Sequence, residues 1–299
     1  MTPAAYRAWG IGFAFFGVLA FSFRPILIKL SYAASPVSPT TLLFLRMTLS
    51  LPFFLAVGWW LRRQEPRLRG RDWVNVALLG FLGYYAASFL DFIGLQYVGA
   101  GVGRLILFLF PTLVLLLSFV FLHKRPTPRQ VIALAVSYAG IALVVSSNVS
   151  SDAQGRLFVL GALLVFAGAV FYAIYLVAGS EVVKRVGSMR FTAYSMVVSS
   201  VPAVVQFVVL EPASALELPG AVWTYAWVLA TFSTVLPVFL QAEALKRIGA
   251  NHFAIIGAVG PVSVAVTSAL GLDEPFTWVQ AVGGLLVISG VLLVSLKRS

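Results

Sequence analysis

Ten runs of about 20 mostly apolar residues divide the chain, at 9–30, 40–61, 73–95, 101–121, 129–147, 158–179, 191–210, 222–244, 251–271 and 277–296. At a rise of about 1.5 Å per residue, each run can cross the roughly 30 Å hydrocarbon core of a bilayer as a helix. Inside lipid a segment must satisfy its own backbone hydrogen bonds, which leaves helices or a closed barrel. The runs lack the short apolar–polar alternation of barrel strands. The first does not read as a cleaved leader, because it is long, carries Arg24-Pro25 and has no small-residue cleavage site.

Composition agrees. Of 299 residues 60% are apolar and 10% charged, against about a quarter charged in a soluble domain. The absence of cysteine excludes disulfides, thiolate metal sites and a thiol nucleophile. A net charge of +11 raises the question of nucleic acid. Position answers it. Sixteen of the 21 Lys and Arg residues lie at one set of chain ends and loops: Arg7, the 62–71, 124–129 and 184–190 stretches, Lys246-Arg247 and Lys297-Arg298. The opposite loops hold Arg156 alone, and Arg24, Lys29, Arg46 and Arg104 sit in or near spans. By the positive-inside rule the excess marks the cytoplasmic face, with both termini on it, so no nucleic-acid partner is expected.

The two halves of the chain match at an offset of 150 residues. The rarer identities carry the match: Pro52/Pro202, Trp73/Trp223, Gly99/Gly249, Pro111/Pro261, Thr127/Thr277, Gln130/Gln280 and Gly140/Gly290. Five spans per half is an odd number, so the second half must enter the membrane upside down. Loop charge follows: His123-Lys124-Arg125 faces a partner region containing Asp273-Glu274, and uncharged Gln96-Tyr97 faces Lys246-Arg247. The expected fold class is an all-α integral membrane protein, with ten transmembrane helices as two inverted-topology five-helix repeats. The units are 1–147 and 158–299, joined by an external linker at 148–157. Inverted repeats are a recurring architecture of secondary transporters, with the substrate near mid-membrane between the halves.

Each half carries a Gly-Ala turn, a proline about a dozen residues on, a Thr-x-x-Gln and then a glycine ten residues later. On these motifs, clearest at 98–145 and 248–295, the chain resembles the EamA-type drug/metabolite transporters across its length. With Phe21-Ser22-Phe23-Arg24-Pro25 in its opening span, it looks most like the bacterial aromatic amino acid exporters. The resemblance implies a multi-pass exporter of amino acids and similar small metabolites in the bacterial plasma (inner) membrane. No cofactor is expected, and the partners expected are the small-molecule substrate and membrane lipid, with the protein a monomer or weak oligomer.

Counting depth along the spans places Tyr84, Tyr85 and Ser88 of span 3 near mid-membrane, with Ser233 and Thr234 of span 8 at the same level. Spans 4 and 9 bring Phe108, Pro111, Gly257, Gly260 and Pro261 to that depth. A proline frees a carbonyl one turn upstream, and an unpaired carbonyl in lipid turns toward protein or a wet cavity. The expected cavity lies between spans 3, 4, 8 and 9, closed by spans 1 and 6. Aromatic rings there would stack on an aromatic side chain or hold a cation, although most Phe and Tyr in so apolar a chain serve packing.

Charge inside a membrane is unfavourable and therefore informative. Arg24, Arg46, Asp91 and Arg104 all fall in the external half. Asp91 is expected to pair with Arg104 or Arg24, as an outer gate or as a static ion pair. Alternatively, Arg24 or Arg104 holds a substrate carboxylate. Gln241, Glu243, Asn251 and His252 gather at the cytoplasmic end of spans 8 and 9. They read as an inner gate or proton site using Glu243 or His252, or as an interfacial cap with Glu243 paired to Lys246 or Arg247.

No Walker loop, HExxH, GxSxG or EF-hand pattern occurs, and no catalytic or metal residue is assigned. The first reading is an exporter of amino acids, aromatic and other neutral ones, by alternating access. The alternatives are a multidrug or cationic-compound exporter of the same fold, a lipid-handling protein, a membrane enzyme or a channel.

Overall fold

The computed structural model describes residues 2–64, 68–122, 127–148, 153–272 and 277–295. Among these residues every long element is a helix. Eight helices are long and apolar enough to cross a membrane, and the shorter apolar helices Ile255–Gly271 and Trp278–Leu293 complete ten. The charged loop segments 123–126 and 273–276 lie outside the described residues.

Packing follows the repeat. Span 1 lies along span 8, and its repeat partner span 6 lies along span 3; spans 2 and 7 pair with each other, as do spans 5 and 10. Each contact maps onto itself or onto its mate when the halves are exchanged, as an inverted repeat requires.

The repeated residues have identifiable local jobs. Thr127 and Gln130 form a reciprocal capping box: the Thr127 N–H donates to Gln130 Oε1 at 2.8 Å, and the Gln130 N–H to Thr127 Oγ1 at 3.4 Å. Thr277 and Gln280 repeat it at 3.3 and 3.2 Å. Each box supplies partners for backbone donors at a helix start. Gly140 and Gly290 set the approach of spans 5 and 10. A Cβ at Gly140 would sit 2.6 Å from the Gly283 carbonyl, and one at Gly290 2.6 Å from the Ala133 carbonyl. Gly249 turns the chain from span 8 into span 9 at φ 73°, a conformation that side chains beyond glycine resist.

Several spans are interrupted. Span 4 divides into Ala100–Leu107 and Phe110–Leu122, and the break before Val259–Gly271 falls at Ala258, the repeat partner of Phe108. Spans 3 and 8 each contain a π-helical turn, Phe81–Ala86 and Thr231–Val235, again at the 150-residue offset. Single π turns inside helices are common at functional sites. Span 1 breaks at Phe23, between Pro3–Ser22 and Arg24–Ala34, whereas its partner runs unbroken as Ala153–Val186.

Candidate transport cavity

A cavity of about 890 Å³ lies between the two halves. Spans 1, 2, 3, 4, 6, 7, 8 and 9 all reach its wall, while spans 5 and 10 stay outside. It is thus broader than the expected four-span arrangement, and span 6 contributes more of its wall than span 9. Exposed Ser180, Ser188 and Lys246 rim one end. Arg24, Asp91 and Arg104, at 8%, 5% and 8% exposure, form the other. Beyond them Phe92, Leu95 and Val98 belong to the main apolar core. The cavity therefore opens toward the end bearing Arg185 and Lys246 and is sealed at the opposite end.

The sealed end is built from charges that the spans fold inward. Arg24 Nη2 lies 3.1 Å from Asp91 Oδ2, so Asp91 pairs with Arg24 rather than with Arg104. Arg46 is 2% exposed and donates from Nη1 to Ser88 Oγ at 2.9 Å and from Nε to Thr234 Oγ1 at 3.0 Å. Thr234 can accept because its own hydroxyl proton goes to the Leu229 carbonyl, five residues back, within the π turn. Arg104 reaches Ser22 Oγ at 3.4 Å and lies over the Phe21 ring at 4.9 Å. A buried ion pair is weakly stabilising at best, but removing one member strands the other in a low dielectric.

One wall is aromatic. The Tyr175 hydroxyl donates to the Tyr84 hydroxyl at 3.4 Å, and the rings meet edge-on with centroids 5.1 Å apart. Tyr172 stacks with Tyr175 at 5.9 Å, as does Phe191 at 5.3 Å. Tyr172, Tyr175 and Phe191 belong to spans 6 and 7 and are absent from the sequence expectation, as are the bonds of Arg46. Gly83 permits this wall, since a Cβ there would come within 2.3 Å of the Tyr175 ring.

Of the expected cavity residues, Tyr84, Ser88, Phe108 and Thr234 line the wall, as do Arg24, Asp91, Arg104, Gln241 and Glu243. Tyr85, Pro111, Ser233, Gly260, Pro261 and His252 do not. Tyr85 and Ser233 are helix neighbours of Tyr84 and Thr234, and one residue turns the side chain by about 100°. Tyr85 instead donates to Gln206 Oε1 of span 7 at 2.9 Å, and Ser233 is fully buried. Pro111 and Pro261 act four residues upstream: Leu107 and Gly257, whose carbonyls they leave without a helical donor, are on the wall. Phe21, four residues before Pro25, is there too. Gly260 backs Arg104, where a Cβ would approach Nη2 to 2.9 Å.

At the open end Glu243 is 3.0 Å from Arg247 Nε and 4.0 Å from Lys246 Nζ. Gln241 reaches the Gly17 carbonyl at 3.5 Å. His252 Nε2 lies 3.3 Å from Arg7 Nη2, and its Nδ1 lies 3.0 Å from the Ile248 carbonyl. Arginine only donates, so Nε2 is the acceptor in the contact with Arg7. Among the described residues no three His, Asp or Glu side chains converge. The wall offers guanidinium, carboxylate, hydroxyl and aromatic groups.

Known proteins share this architecture. The EamA-like transporter family matches residues 8–146 and 159–296. A Bacillus subtilis protein named Uncharacterized transporter YyaM is 30% identical, over 78% of this chain and 76% of its own. Another from that organism, Uncharacterized transporter YcbK, is 27% identical over 92% and 89%. A Streptantibioticus cattleyicolor protein named "Probable terminal-alkyne amino-acid exporter" is 28% identical over 77% and 75%. A solved crystal structure, 19% identical, superposes with a TM-score of 0.67 across 96% of this chain and 97% of its own. Two matched repeats and, among the described residues, ten apolar helices agree: the chain is a multi-span membrane protein belonging to the EamA-like transporter family.

Proposed function

We propose that the protein exports amino acids, aromatic and other neutral ones foremost, and similar small metabolites across the bacterial plasma membrane by alternating access. Both termini are assigned to the cytoplasm by the basic loops, which makes the present conformation inward-open. The observation that carries the reading is a cavity reached by both repeats and open at one end only. Its volume, about 890 Å³, suits a small-molecule site. The exporter from S. cattleyicolor supports the amino-acid class.

In this reading a substrate enters past Lys246 and Glu243 and lays its apolar body against Tyr84, Tyr172 and Tyr175. Ser88 and Thr234, tied by Arg46, form the mid-membrane floor. Asp91 with Arg24 forms part of the outer barrier, which loosens as the halves rock about the breaks at Phe108 and Ala258. Gln241 and Glu243 then belong to the inner barrier.

Flux in proteoliposomes, measured with a panel of amino acids with and without a pH gradient, tests the proposal. Saturation and counterflow are the expected result; unsaturable flux would instead indicate a channel. Tyr84→Ala removes one aromatic contact and should weaken apparent affinity about three- to tenfold in the protein that folds. Unchanged affinity would move the substrate off this wall. Glu243 is paired to Arg247 and His252 to Arg7, so Glu243→Gln should leave any response to the pH gradient intact.

A further inference from the structure

The sealed end of the cavity carries more positive than negative charge. Arg24 is neutralised by Asp91. Arg46 is held by two neutral hydroxyls. Arg104 has one long bond, 3.4 Å, to Ser22 Oγ, and its buried Nε has no hydrogen-bond partner. Among the described residues, neither Arg46 nor Arg104 has a carboxylate within 4.0 Å. A guanidinium stays protonated in proteins, so two formal positive charges face the chamber without a matching anion. Away from water such charges call for a counter-ion.

Arg104 is the least committed of the three. It is 8% exposed and lines the cavity. Phe21 supports one face of the guanidinium at 4.9 Å, and Nη2 packs against Gly260, where a side chain would displace it. Such a supported, planar, part-unpartnered fork suits a two-oxygen anion. The tyrosine wall is lining of the same cavity, beside a rim that water can enter.

We infer that the transported molecule is recognised as a carboxylate, its anionic head on Arg104 within the field of Arg46 and its apolar body on the tyrosine wall. The inference rests on the cavity being the transport site. It narrows the substrate class: the carboxylate is required, an α-ammonium group is optional, and simple organic cations are rejected.

The test uses the full-length protein in detergent and in proteoliposomes with four probes: phenylalanine, 3-phenylpropionate, phenylalanine amide and phenethylamine. Phenylalanine and 3-phenylpropionate should raise the melting temperature and drive counterflow; the two without a carboxylate should do neither. Arg104→Gln should lower apparent affinity for both carboxylates by about ten- to a hundredfold, and Arg104→Lys should recover part of it. If Arg104→Gln fails to fold, the wild-type panel decides alone. Equal or stronger responses to the amide or the amine would overturn carboxylate recognition and leave the exporter reading standing. Silence from all four probes would overturn both.

Discussion

The two halves of the molecule share their backbone and differ in their chemistry. The capping boxes, the close glycines, the breaks at Phe108 and Ala258 and the π turns recur at the same offset. The charges do not. Arg24, Arg46, Asp91 and Arg104 correspond to Ile174, Met196, Gln241 and Ala254. Span 1, broken ahead of Arg24-Pro25, corresponds to the continuous helix of span 6, which supplies tyrosines instead. In the proposed mechanism symmetry is kept where two conformations would exchange and dropped where a ligand would be held in one orientation. A charged group on each half would put the two recognition elements at opposite depths.

Paired substitutions probe that division. The largest effect is expected for Asp91→Ala, which strands Arg24 and should destabilise the protein by about 3–5 kcal/mol. Its repeat counterpart Gln241→Ala, with a single 3.5 Å bond to lose, should cost less than about 1.5 kcal/mol. Similar losses in thermal unfolding would show that the two ends carry equal electrostatic weight. Next, Gly140→Val and Gly290→Val should each overpack the span 5–10 contact and cost about 1–3 kcal/mol, nearly alike. A marked inequality would break the symmetric description of that interface. Smallest, Thr127→Ala and Thr277→Ala should each remove a capping box and cost about 1 kcal/mol, again nearly alike.

Much of this fold was legible in the residues because hydropathy and loop charge act at the scale of whole spans. Number, order and inversion follow from run length and an odd count. Tyr84 and Thr234, repeat partners expected at one level, both line the cavity. Azimuth was not legible. A span apolar on every side carries no stripe from which to read its inner face, which is why the residues alone do not separate Tyr85, Ser233, Pro111 and Pro261 from the residues that line the wall. The π turns add to this, because one extra residue per turn shifts the phase of everything beyond it. The Thr-x-x-Gln motif did contain its own explanation, as the spacing of a capping box. Tyr172 and Tyr175 gave no such signal; they are two tyrosines among ten in an aromatic-rich chain.

Arg46 has a consequence for motion. One guanidinium crosses the seam, bonded to Ser88 in its own half and to Thr234 in the other. Any displacement that separates those hydroxyls must release one bond before another can form. Hydrogen bonds to a charged group contribute about 1.5–3 kcal/mol each, several times thermal energy. If the halves rock as proposed, intermediate positions would be sparsely populated, and the molecule would step between bonded arrangements rather than slide through a continuum.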